Sequence, residues 1–303
     1  MRPSLPRPTL ALLLAALHLA PAPAVAEEAQ APQGQHCMGE PRSRVLLSST
    51  LVAQSEPMGL EEQLQLGACR PLLRTPGILF DHTNVQAGLI VYASPVYAFP
   101  GAFVSIAPLS VLELRAEAAP FWVWPLGLDG AGYFPRGSAD EQFEDLPAEQ
   151  AESASGWTAT FTGTLQAEVE LAPGLTLAAV DVLSWSFWDV GDAPYYYHPR
   201  YDFTLAREDW VGKNQAFLLV GHRFSPTLVV RAGVNDEWMG SARAGITQNI
   251  LAAALTADVA GWPRRGDLLQ PFLRVGGFTH HEFRTGLAVL GGVGVTWDVT
   301  PGR

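Results

Sequence analysis

The sequence predicts an all-β protein: a closed antiparallel up-and-down transmembrane β-barrel of about twelve strands, within a range of about ten to fourteen. Three observations predict it. Side chains alternate apolar and polar over unusually long runs, the polar faces carry charges in mid-run, and aromatic residues gather near the run ends. The composition agrees. The 303 residues are 48% hydrophobic and 16% charged, which leaves ample apolar surface to bury or to present to lipid. A net charge of -11 repels phosphate, so nucleic acid is excluded as a partner.

The chain opens on residues 1–26, which read as a signal peptide. Arg2 and Arg7 precede the apolar stretch Leu10 to Ala20, and Ala24-Val25-Ala26 supplies small residues for cleavage. Residues 27–43 are rich in Gln, Pro and Gly and read as a flexible periplasmic N-terminus; residues 44–303 read as the barrel. After Ala26 the nearest thing to an apolar helix span is Ile250 to Trp262, broken by Thr256 and Asp258, and it is too short to cross a membrane.

Alternation then places the strands. In 157–171, Ala159, Phe161, Leu165, Val169 and Leu171 share one face and Thr160, Thr162, Thr164, Gln166, Glu168 and Glu170 the other. In 111–118, Leu112, Leu114 and Ala116 oppose Glu113, Arg115 and Glu117. Even strand number and short periplasmic turns give one consistent threading: 44–54, 60–70, 83–94, 99–107, 110–122, 157–171, 175–188, 214–225, 227–236, 250–261, 268–279 and 284–299. Inner turns fall at Ala107-Pro108-Leu109, Ala172-Pro173-Gly174 and Ser225-Pro226-Thr227, and the long segments 123–156 and 189–213 fall outside. Segment 237–249 leaves room for a further strand pair. Phe121, Trp122, Trp124, Trp185, Phe187, Trp188 and Tyr195 to Tyr197 read as an interfacial girdle. Cys37 and Cys69 both fall at the periplasmic end, where an oxidising compartment permits a disulfide.

On this pattern the chain resembles the bacterial outer-membrane β-barrel proteins as a broad class, from signal peptide to final strand. The resemblance implies an outer-membrane location, lipid as the surrounding partner, and a monomeric pore or structural barrel. It departs from the class at the C-terminus, where Asp298 to Arg303 follow Trp297 instead of a terminal aromatic.

The candidate site is a network of charges facing the lumen. Glu113, Arg115 and Glu117 share one face, and the neighbouring strand is expected to bring Glu168 and Glu170 alongside. Arg223, Arg231 and Arg274 have lumen parity on the opposite wall. Such a network either rigidifies the lumen or forms a charged constriction for small polar solutes. No cofactor is implied. Metal-ligand spacings are absent, and adjacent His280 and His281 point to opposite faces of a strand. The acidic loop of Asp129, Asp140, Glu141, Glu144, Asp145, Glu149 and Glu152 lacks calcium-loop spacing and reads as solvated. Gly291-Gly292-Val293-Gly294 reads as glycines making room in a crowded lumen. The function expected is a narrow passive pore or structural barrel with long outer loops. The alternatives are a barrel-embedded lipid- or envelope-modifying hydrolase and a secreted β-sandwich binding protein; no serine-histidine motif supports the hydrolase.

Overall fold

A computed structural model describes residue 37 and residues 42–55, 58–72, 79–80, 82–140, 146–264, 266–281 and 284–301. The signal segment, most of 27–43, and Asp81, Glu141, Glu144, Asp145 and Glu282 lie outside the described residues.

Among the described residues fifteen strands form in chain order: β1 (Arg44–Ser55), β2 (Met58–Pro71), β3 (Asn84–Ala93), β4 (Tyr97–Leu109), β5 (Leu112–Val123), β6 (Phe134–Arg136), β7 (Ala154–Ala172), β8 (Leu175–Val190), β9 (Tyr195–His198), β10 (Phe203–Ala206), β11 (Glu208–Ser225), β12 (Leu228–Ser241), β13 (Thr247–Ala260), β14 (Leu268–His280) and β15 (Leu287–Asp298). Twelve of them close into a barrel, each paired with its neighbours in sequence, and β1 meets β15 to complete the ring. Closure leaves no free edge, which a strand in lipid could not tolerate. It also removes the sandwich alternative.

Strict alternation decides what faces where. Leu64, Leu89, Val104, Leu114, Phe161, Leu218 and Leu251 all lie exposed on the exterior, which is the lipid-facing side of a transmembrane barrel. Trp122, Trp157, Trp185 and Trp210 are exposed on that side as well. The same alternation turns Phe121 and Trp188 inward, where both are fully buried. The expected girdle therefore divides by parity: Trp122 and Trp185 belong to the outer face, while Phe121, Trp188, Tyr196 and Tyr197 are interior.

The turns confirm the threading with one shift. Pro173-Gly174 and Pro226-Thr227 form the predicted turns, and Gly174 sits at φ 76°, a left-handed conformation that glycine adopts without strain. The first inner turn moves to Ser110-Val111, because β4 continues to Leu109 through an irregular register that accommodates Pro108. No extra strand pair hides in 237–249; β12 runs on to Ser241 and β13 starts at Thr247. At the β1–β2 end away from the β9–β10 hairpin Cys37 and Cys69 are disulfide-bonded, with Cα atoms 5.5 Å apart. Arg44 pairs with Asp298 there, tying β1 to β15.

The outer loops are the main departure. Segments 123–156 and 189–213 are expected to fall outside as long loops, yet their ends extend β7 back to Ala154 and β11 back to Glu208. They also contribute β6, β9 and β10, which form a separate three-stranded sheet in the order β10-β9-β6.

Candidate functional site: a vestibule and the hairpin across it

The β9–β10 hairpin turns at residues 199–202, and side chains of that turn reach walls far from its own roots. Arg200 donates through Nε and Nη2 to Glu61 on β2, at 2.8 and 3.1 Å. Its guanidinium lies over the rings of Tyr92 and Phe99, 4.6 and 4.9 Å from their centroids. Tyr97 donates its hydroxyl to the same Glu61 carboxylate at 2.6 Å. The carbonyl of Tyr201 accepts from Gln248 on β13 at 3.4 Å. Asp202 accepts from Tyr197 at 2.9 Å and from two nitrogens of Arg284, in the β14–β15 loop. A turn rooted between β8 and β11 that touches β2, β13 and the β14–β15 loop must cross the lumen.

The local sequence suits this role. Asp202 adopts φ 59°, a left-handed conformation that aspartate tolerates better than most residues. Tyr197 is buried, and burial followed by the Asp202 charge pushes its phenol well above the ordinary range, so it remains a donor. His198 is fully buried, stacked on Phe121 (5.5 Å between centroids) and edge-on to Trp188 (4.4 Å). Burial first, and the nearby Arg200 second, lower its pKa well below the usual imidazole value, so it is neutral. Its Nδ1 accepts from the Arg200 backbone at 3.2 Å.

Beside the hairpin lies a cavity of about 950 Å³. Its lining combines Glu61, Gln63, Tyr92, Tyr97 and Arg200 with a hydroxyl ladder of Thr158, Thr160, Thr162, Ser184 and Ser186. Lys213, Gln215, Glu237 and Arg274 line it from another side. Glu237 accepts from Gln215 at 2.6 Å and from Arg274 at 2.9 Å, and pairs with Lys213 at 3.2 Å.

The predicted charge network is distributed over three places. Arg115 pairs with Glu117 and donates to Gln65 on β2 at 2.9 Å, a bond that passes β3 and β4 and so spans a chord of the lumen. Glu113 lies on the same strand face, opposite Thr164. Arg231 bridges Glu168 on β7, at 3.3 Å, and Asp258 on β13. The Glu168–Arg231 bond passes β8 and β11 and forms a second chord. Arg274 belongs to the cavity wall with Glu237. The expectation that Glu168 and Glu170 lie beside Glu113 to Glu117 is corrected: the register sets Glu113 against Thr164 and Glu117 against Thr160. β7 extends past the end of β5, so Glu168 and Glu170 lie below it. Glu170 instead accepts from the backbone of Gly174 at 3.0 Å, and it and Arg223 are exposed at the rim. Glu61, Arg200, Lys213, Gln215 and Glu237 were not singled out from sequence as part of a network. Continuing the alternation from Arg231 along β12 reaches Asn235 and Glu237, so Glu237 was within reach of the pattern; no periodicity points to Arg200.

No protein-family model matches the chain, and no curated protein does either. Solved structures do. The KdgM porin in complex with disordered oligogalacturonate matches over 84% of this chain and 99% of that one, at 8% identity and a TM-score of 0.34. The beta domain of the Bordetella autotransporter BrkA covers 84% and 98%, at 10% identity and a TM-score of 0.45. OmpT, an outer-membrane protein of Vibrio cholerae, covers 84% and 96%, at 7% identity and a TM-score of 0.32. The likeness is one of fold, and the chain's own geometry states that fold: a closed twelve-stranded transmembrane β-barrel.

Proposed function

We propose that the protein is a narrow passive pore of the bacterial outer membrane, exported by its signal peptide, monomeric, and open to small polar solutes from outside. The hairpin between β9 and β10 is its constriction. The observation that carries this reading is the Arg200–Glu61 clamp across the lumen, with a polar-lined cavity of about 950 Å³ beside it. A side chain held bidentately over two aromatic rings narrows a channel without sealing it, and pore selectivity follows from such rings of charge. The Arg115–Gln65 and Arg231–Glu168 chords narrow the lumen further. In planar bilayers the protein gives a small single-channel conductance, and Arg200→Ala raises it several-fold by freeing the hairpin. Silence of both proteins would leave a structural barrel instead.

The hydrolase reading has one observation in its favour: His281 lies 3.8 Å from Asp202 at the mouth. Asp202 is already engaged by Arg284 and Tyr197, so it is held as a structural anchor. Loss of a lipid- or envelope-cleaving activity in His281→Ala would reinstate that reading.

A further inference from the structure

The inner face of a barrel pore is ordinarily polar, yet one wall here is not. Ile250 on β13, Phe272 and Phe278 on β14, and Ala288 and Leu290 on β15 all line the cavity. The register makes them one patch, because Ile250 pairs with Phe278, Gly276 with Ala288 and Arg274 with Leu290. All five are only half-buried, so the hairpin does not cover them. β13 is apolar on both faces: Leu251 and Leu255 meet lipid while Ile250 and Ala252 meet the cavity. Apolar surface left against water inside a lumen is a standing cost that a bound apolar group removes.

The polar edge of the same patch has a definite sign. Glu237, directly opposite Ile250, carries one negative charge against the two positive charges of Lys213 and Arg274. Lys213 remains 32% exposed. The Arg274 Nε is buried with no hydrogen-bond partner among the described residues. Ammonium and guanidinium groups only donate, so a ligand here must bring an acceptor, and a single surplus positive charge matches a single negative one.

We propose that this wall binds small amphipathic monocarboxylates, with the apolar body on the Ile250–Phe272–Leu290 patch and the carboxylate at Lys213 and Arg274. The proposal names the solute class of the vestibule and rests on the reading that solutes enter it. The test is calorimetric titration of the protein in phosphatidylcholine nanodiscs, with empty nanodiscs as the blank. The probes are 4-phenylbutyrate, butyrate and 4-phenylbutan-1-ol. Saturable binding of 4-phenylbutyrate is expected, tighter by about tenfold or more than either comparator. Lys213→Gln weakens it about tenfold while leaving the alcohol unchanged, and Leu290→Ser or Ile250→Thr weakens both phenyl compounds. Equal binding of butyrate, equal binding of the alcohol, or no saturable binding above the blank would each overturn the proposal. Conductance without binding discards the site and keeps the pore; binding in a protein silent in bilayers does the reverse.

Discussion

The two sides of the lumen are built from the same alternating strands and end in opposite states. On the β3–β5 and β8 side, Phe99, Phe121 and Trp188 are fully enclosed, and the hairpin packs Tyr196, His198, Tyr201 and Phe203 onto them. Phe99 and Phe121 meet Trp188 edge-on, with centroids 5.9 and 5.2 Å away. On the β13–β15 side, Ile250, Phe272 and Leu290 face open space. Alternation sets only which side chains point inward. Whether they become core or cavity wall is decided by where the loop between β8 and β11 folds. The aromatic side is a hydrophobic core in the ordinary sense, and the other is a surface awaiting contact.

Cutting into each side tests that contrast. Phe121→Ala empties space in the enclosed half, and a loss of about 3–5 kcal/mol is expected in urea unfolding of the lipid-reconstituted protein. A loss under about 1 kcal/mol would mean that the hairpin is not packed there. Next is Asp209, fully buried where β10 meets β11. It accepts from the backbone of Ala206, Trp210, Arg243 and Ala244 and from the Ser241 hydroxyl. One carboxylate thereby ties the base of the hairpin to the β12–β13 turn. Asp209→Ala should cost about 3 kcal/mol, since several buried donors lose a charged acceptor together.

Acid acts on the filled half through His198. His198 has a folded-state pKa lowered by burial, so the unfolded hairpin binds more protons than the folded one. Its contribution is complete above the unfolded value of about 6.5 and falls by about 1.4 kcal/mol per pH unit below it, until the folded pKa is reached. Conductance should therefore rise as pH falls below about 6. His198→Phe keeps the ring stack and should abolish that rise; an unchanged pH profile would show that the hairpin does not gate the current. The smallest effect belongs to the open wall. Leu290→Ala should cost under about 1 kcal/mol, because its side chain is only partly buried and lines the cavity instead of a packed core. A loss as large as that of Phe121→Ala would mean that the wall is covered, and would remove the basis of the carboxylate site.

Gly292 shows how far the sequence pattern reached into this lumen. A Cβ there would meet the Phe272 ring at 2.5 Å, so the residue makes room for an inward side chain, as the glycine-rich final strand led one to expect. The parity of Arg115, Arg231 and Arg274 was legible in the same way. Their partners were not, because Gln65, Asp258 and Glu237 stand on other strands whose relative height depends on the stagger of the closed barrel. Glu168 illustrates the cost: the right face, but a partner on β12 instead of β5.

By itself the sequence determined the twelve barrel strands and their faces, because period-two alternation and turn chemistry are local properties of the chain, while for the two cysteines it permitted a disulfide without requiring one. Tertiary structure alone decided that the β9–β10 hairpin bends inward. That outcome depends on Arg200 meeting Glu61, 139 residues away, and on Asp202 meeting Arg284. Contacts of such separation leave no periodic trace, so a loop that crosses a lumen and a loop that waves above it read alike until the barrel is closed.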